Sequence, residues 1–175
     1  MQSNSSALFA GQDDSTLYTL TAKEVTKDGK CILKNNNDWT SPAGFAPYHG
    51  NLYILDKKAG VLKFVASDDG YGKADYFSDS KPDVSQATGM AIDGSIWILT
   101  DDGRILKYTK GQQDTFSVKG MDQLFSHPKA ITTTVDSTNI YVLDNGNNRI
   151  AVIAKDGSYK KSYAASGLSQ AKAIS

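Results

Sequence analysis

The side chains that could do chemistry are few and dispersed. The chain holds two histidines, His49 and His127, one cysteine, Cys31, and one glutamate, Glu24, so acid–base or nucleophilic catalysis would have to be assembled from these and the aspartates. A Cys–His nucleophile needs a thiol beside an imidazole. Cys31 lies in GKCILKN, which reads as a strand after a glycine turn and points to a half-buried structural thiol. His49 sits in the turn YHGN and His127 directly before Pro128, at opposite ends of equivalent strands, so the two imidazoles are expected on opposite faces. The run Asp144-Asn145-Gly146-Asn147-Asn148 has the look of part of a calcium loop but lacks the terminal bidentate acid. The carboxylates in Ser67–Asp75 read as a solvated hairpin tip. No catalytic residue, metal site or cofactor is expected from this inventory.

Bulk composition narrows the classes further. A chain of 175 residues suits a single domain with a real hydrophobic core. Its net charge is zero with 22% charged residues, and Lys and Arg never run longer than two, which argues against nucleic acid as a partner. One cysteine excludes an intrachain disulfide and a thiolate zinc cluster. No apolar run is long enough to span a membrane, so no membrane insertion of this segment is expected. The start, MQSNSSALFAG, lacks a signal-peptide pattern. The polar opening and the end at AKAIS read as excision boundaries, so localisation stays open, with a piece of an extracytoplasmic or surface protein as the expectation.

The elements that must position these residues repeat. Four hairpin patterns, SALFAGQDDSTLYTLTA, NLYILDKKAGVLKFVA, SIWILTDDGRILKY and NIYVLDNGNNRIAVI, align at Thr16, Val61, Ile105 and Ile150, spaced 45, 44 and 45 residues apart. Upstream of the last three lie Pro42–Ala46, Ala87–Ala91 and Pro128–Thr132, each with a small–large–small triplet. Downstream lie Lys30–Lys34, Lys73–Phe77, Asp114–Val118 and Tyr159–Tyr163. β-Branched and aromatic alternation between Gly, Asp and Asn clusters makes these short strands, and helical periodicity is absent. The fold expected is all-β, a β-propeller of four four-stranded antiparallel blades, with Gly44, Gly89 and Ala130 allowing close approach of innermost strands and Phe45, Met90 and Ile131 filling the space between blades. The expected blades are 6–36 plus 170–175, 41–78, 85–119 and 126–164. The first unit shows no upstream strand, whereas Ala173-Ile174-Ser175 matches Ala130-Ile131-Thr132. Gln170–Ser175 is therefore expected to pair beside Ala7–Gly11 and close the first blade, either within one chain or by exchange in a homodimer with a two-fold ring of eight blades.

The fourth unit resembles the NHL repeat at Pro128, Ile140, Tyr141, Val142, Asp144, Asn147, Asn148, Arg149 and Ile150. The third unit keeps Ile96, Trp97, Arg104 and Ile105 but has Thr100 for the aspartate. The second keeps Pro42, Tyr53, Asp56 and Val61 with Gly60 at the arginine position, and the first is degenerate, with Gly11 for the aspartate. The resemblance implies a propeller. It does not fix a function, because such propellers serve as RNA readers, protein-binding platforms, sensors and lyases.

In such a unit Asp144, Asn147 and Arg149 form a structural hairpin, the aspartate accepting backbone N–H groups and the arginine pairing across the strands. The function expected is a non-enzymatic module binding a protein or a small ligand, with a lyase- or lactonase-like enzyme and an RNA-binding NHL-type domain as alternatives. The expected binding surface is the channel mouth, where Thr88, Lys129 and Lys172 precede the inner triplets and the two lysines could hold an anion.

Overall fold

The computed structural model describes residues 8–13, 15–78 and 81–174. It contains four antiparallel four-stranded sheets, each made from strands consecutive in sequence. The chain divides into two compact units, Met1–Asp83 and Val84–Ser175, each holding two sheets. In the first unit the sheets are β1 (Phe9–Asp13), β2 (Thr16–Leu20), β3 (Glu24–Lys27), β4 (Lys30–Lys34) and β5 (Pro42–Tyr48), β6 (Asn51–Asp56), β7 (Gly60–Ser67), β8 (Gly70–Ala74). In the second they are β9 (Ala87–Ile92), β10 (Ser95–Thr100), β11 (Ile105–Thr109), β12 (Gln112–Asp114) and β13 (Pro128–Thr132), β14 (Asn139–Asp144), β15 (Arg149–Ala154), β16 (Tyr159–Ala164). Among the described residues the helical turns are two short 3-10 segments, Asn145–Asn147 and Leu168–Gln170.

The second strands, TLYTL, NLYIL, SIWIL and NIYVL, carry the fold. Their aromatic residues Tyr18, Tyr53, Trp97 and Tyr141 stand opposite Gly11, Ala46, Ala91 and Thr132 of the neighbouring first strands, so the same register recurs in every sheet. In the first unit Tyr18, Leu20 and Val25 pack into one core with Phe45, Leu52 and Ile54. In the second, Trp97, Leu99 and Ile105 pack with Ile131, Ile140 and Val142. Burying side chains of this size contributes about 1.5–3 kcal/mol each. First strands lie side by side within each unit, and small residues make that possible: a Cβ on Gly89 would meet the Ile131 nitrogen at 3.3 Å and the Ala130 Cα at 3.4 Å. The close approach expected at Gly89 is thus present, and Gly11 approaches the Pro47 ring in the same manner.

The first sheet differs from its expected make-up. Thr16 opens the second strand of its sheet, not the third, because Glu24–Lys27 is itself a strand. The turn before it has no Gly, Asn or Asp. Instead the Thr21 hydroxyl accepts the backbone N–H of Lys23 (3.1 Å) and Glu24 (3.0 Å), doing the work of a turn residue without its usual signature. The first sheet therefore has four strands of its own and no gap for a C-terminal strand.

Gln170–Ser175 does not pair beside Ala7–Gly11 among the described residues; Ala7 and Ser175 themselves lie outside them. The chain turns at Gly167 (φ 91°), forms the Leu168–Gln170 turn and runs along the fourth sheet. Asn145 Nδ2 donates to the carbonyls of Ser169 (3.0 Å) and Ala171 (2.9 Å), and the Ser169 N–H donates to Asn148 Oδ1 (2.9 Å). Two outer strands are also displaced, Gly70–Ala74 for the expected Lys73–Phe77 and Gln112–Asp114 for Asp114–Val118. The alternating aromatics that suggested the later positions belong to connecting segments, where Phe116 and Val118 cover the second unit's core.

Candidate functional site

The densest polar constellation stands at the ends of the second strands. Asp144 is fully buried and Arg149 nearly so. Asp144 Oδ2 accepts Arg149 Nε at 2.7 Å and Asn147 Nδ2 at 2.8 Å, while Oδ1 accepts the Ser126 backbone N–H at 2.8 Å. Arg149 Nη2 then donates to the Gln123 carbonyl at 2.6 Å, and Asn147 Nδ2 also reaches the Leu124 carbonyl at 2.8 Å. Asn148 adopts a left-handed conformation (φ 52°) that closes the turn, which asparagine tolerates better than most residues. The carboxylate and guanidinium therefore fasten the connection entering β13.

Asp56 does the same in the second sheet by a different route. With Gly60 in the arginine position, its carboxylate accepts four backbone N–H groups: Thr40 (2.8 Å) and Ser41 (2.6 Å) on Oδ2, Lys58 and Ala59 (both 2.9 Å) on Oδ1. Burial pushes its pKa up, but the N–H donors of Ser41, Ala59, Lys58 and Thr40 together outweigh that and hold it below the ordinary carboxylate value. In the third sheet Thr100 replaces the aspartate and donates to Asp102 Oδ1, and Arg104 Nε pairs with Asp102 at 2.8 Å out in solvent. The second and fourth sheets thus anchor a preceding loop by different chemistry, whereas the third uses these side chains within its own β10–β11 turn.

Thr88 and Lys129 occupy a shared feature. The first strands β9 and β13 slip register at these residues, as β5 does at Ala43, which marks a β-bulge in the same place in three sheets. The Thr88 hydroxyl turns toward the Leu99 carbonyl (3.5 Å), and Lys129 is exposed. Lys172 is exposed too, but it follows the Leu168–Gln170 turn outside any strand and does not share the bulge position. The structure therefore places Thr88 and Lys129 on adjacent strands and puts Lys172 on a separate segment.

The histidines belong to separate units. His49 (φ 47°) packs edge-on to Tyr48 at 4.3 Å, and exposed His127 (φ 48°) pairs through Nδ1 with Asp101 Oδ2 at 3.1 Å. Cys31 is exposed, not half-buried, and desolvation together with the Glu24 side chain raises its pKa, the opposite of an activated thiolate. Among the described residues no group of three His, Cys, Asp or Glu side chains is placed to hold a metal ion.

One polar cluster had no signal in the sequence. Asp93, in the β9–β10 turn, accepts Trp97 Nε1 at 2.9 Å and Lys155 Nζ at 2.7 Å, and Lys155 also reaches the Thr134 carbonyl at 2.9 Å. It ties the third sheet to the fourth. The pair joins turns about 60 residues apart, and nothing in AIDGS or AKDGS marks them as partners.

Four sheets of four antiparallel strands, stacked first strand to first strand within each unit, define a scaffold of the β-propeller type. No protein-family model and no curated protein matches the chain. Solved structures do. It is similar to a nidogen/laminin complex (TM-score 0.68, 14% identity, 95% of this chain and 66% of that one). It is similar also to the extracellular domain of a hybrid two-component system from B. thetaiotaomicron (TM-score 0.61, 18%, 91% and 22%) and to a catalytically inactive virginiamycin B lyase from Staphylococcus aureus with quinupristin (TM-score 0.55, 15%, 88% and 53%). At these identities the likeness establishes the fold alone. The chain spans less than two thirds of the length of each of these proteins.

Proposed function

We propose that this chain is a non-catalytic binding module, an NHL-like propeller scaffold that presents its loops and a sheet face to a protein or small ligand. The observation that carries the reading is how the buried charge is used: Asp56, Asp144 and Arg149 are consumed in fastening loops to sheets. A scaffold built this way holds its turns rigidly, which suits recognition. The bulge lysine Lys129 and its neighbour Thr88 supply one polar contact surface for an anionic group, with Lys172 as a further cation. The similarity to a lyase keeps a propeller enzyme as the alternative, and the NHL pattern keeps RNA binding as a third.

One set of titrations separates these classes. The binding-module reading expects no change in melting temperature with millimolar Mg²⁺, Mn²⁺ or micromolar Zn²⁺, and no retention of single-stranded RNA at low salt. Metal-dependent stabilisation that disappears in His49→Ala or His127→Ala would support the enzyme instead. RNA retention lost in Lys129→Ala would support the NHL-type nucleic-acid reader.

A further inference from the structure

The β14–β15 turn holds the chain's one Asn-Gly pair, Asn145-Gly146, and the fold makes use of both residues. Gly146 lies against the connection entering β13. Its N–H donates to the Ser126 carbonyl at 2.8 Å, and a Cβ at this position would overlap the Ser126 hydroxyl and carbonyl oxygens. Asn145 acts as a tether, its Nδ2 donating to the carbonyls of Ser169 (3.0 Å) and Ala171 (2.9 Å). Between residues 165 and 173 only Leu168 and Ala171 are even half-buried, so apolar contact does little to hold this stretch. The bonds from Asn145, together with the Ser169 N–H to Asn148 Oδ1 at 2.9 Å, fasten it to the turn.

In an Asn-Gly pair the glycine nitrogen reaches the asparagine Cγ unhindered, because glycine has no Cβ and turns freely. The bond from nitrogen to Cγ forms, the Cγ–Nδ2 bond breaks, and the nitrogen's proton leaves with Nδ2 as ammonia. Water then opens the cyclic imide at either carbonyl, giving aspartate or isoaspartate. One water is consumed, one ammonia is released, and nothing is oxidised or reduced. Gly146 is exposed, which gives that water access. In the folded turn both reacting groups are restrained, the Gly146 N–H by Ser126 and the leaving amide by two carbonyls. The product cannot be held in the same way. A carboxylate has no donor for the Ser169 and Ala171 carbonyls and sets negative oxygen against them. Its second oxygen takes the place of Asn145 Oδ1, which is buried and meets no hydrogen-bond donor among the described residues.

We propose that Asn145 is a site of spontaneous deamidation coupled to the docking of residues 168–171: docking protects the amide, and conversion of the amide releases the segment. The two effects share one cause. The bonds from Nδ2 that hold the segment must open before ammonia can leave, and the product no longer makes them. Release is one-way, because the hydrolysed amide does not re-form. The sheets themselves survive conversion, since Asp144, Asn147 and Arg149 still anchor the turn through Ser126, Leu124 and Gln123. The change is therefore confined to the segment, and it does not depend on whether the scaffold binds a ligand.

Two measurements on the full chain test this. The first follows, by mass, amide-to-acid conversion in the peptide containing residue 145 after the protein is kept in warm, mildly alkaline buffer. Gly167→Pro undocks the segment without touching a sheet, since proline cannot adopt φ 91°. Conversion at Asn145 is expected to run about tenfold faster in Gly167→Pro than in wild type, because the amide no longer waits for local opening. The second uses Asn145→Asp, which supplies the product directly. Hydrogen exchange at the Ser169 amide is expected to quicken about tenfold while the amides of β14 and β15 keep their protection. Equal conversion rates in wild type and Gly167→Pro, or unchanged exchange at Ser169 in Asn145→Asp, overturn the proposal. Loss of protection across β14 and β15 in Asn145→Asp overturns it as well, since conversion would then unfold the sheet and not release a segment.

Discussion

Asp144→Ala is expected to lower the unfolding free energy by about 3–5 kcal/mol, measured by urea denaturation. The substitution removes three hydrogen bonds at once, but the larger effect is on what remains. Arg149 keeps its charge in a nearly buried position, with the Gln123 carbonyl at 2.6 Å as its main remaining partner. The Ser126 N–H and Asn147 amide lose acceptors as well, so the connection into β13 loosens together with the hairpin turn. If the uncompensated guanidinium dominates, adding Arg149→Met should recover part of the loss, leaving the double variant more stable than Asp144→Ala alone. A double variant that is less stable than either single variant would mean that loop anchoring, not charge compensation, sets the cost.

Asp56→Ala is the companion experiment without a cation. Four backbone N–H groups lose one carboxylate; Thr40 is exposed enough to hydrate, so the expected cost is about 2–4 kcal/mol and not four full desolvation penalties. The pH dependence has a definite sign. Because the folded pKa is lowered, the unfolded chain binds a proton more readily, and the stabilisation is complete above the unfolded pKa near 4. It is lost as pH falls through the lower folded value. Wild type should therefore lose stability relative to Asp56→Ala on acidification below about pH 4, and the two curves should converge. Equal separation of the curves at pH 7 and pH 2.5 would refute the assigned role.

What could be read from residues alone follows physical lines. The second strands of the last three sheets were legible because each combines alternation, an aromatic third residue and a bounding Asn, Asp or Gly, as in NIYVLDNGNN. The pairing of Asp144 with Arg149 across one hairpin could be read locally, whereas their bonds to Ser126 and Gln123 in the preceding connection could not. The first sheet was misread because Glu24–Lys27 is four residues long and its turn depends on a threonine hydroxyl, a bond with no sequence signature. The C-terminal segment was expected as a strand of the first sheet, but residues 171–174 lie in no sheet: the pattern Ala-Ile-Ser alone does not determine pairing. Outer strands slipped because their aromatic residues serve the core from connecting segments. The Asp93–Lys155 pair was invisible because it is set by tertiary distance.

The account turns on each sheet being complete from consecutive strands while residues 172–174 stay unpaired beside the fourth. Native-state hydrogen exchange tests this most directly. Slow exchange is expected at the amides of residues 25–27, held between β2 and β4, and rapid exchange at Lys172, Ala173 and Ile174. Protection of residues 172–174 together with rapid exchange across residues 25–27 would contradict it and restore the C-terminal segment as a strand of the first sheet.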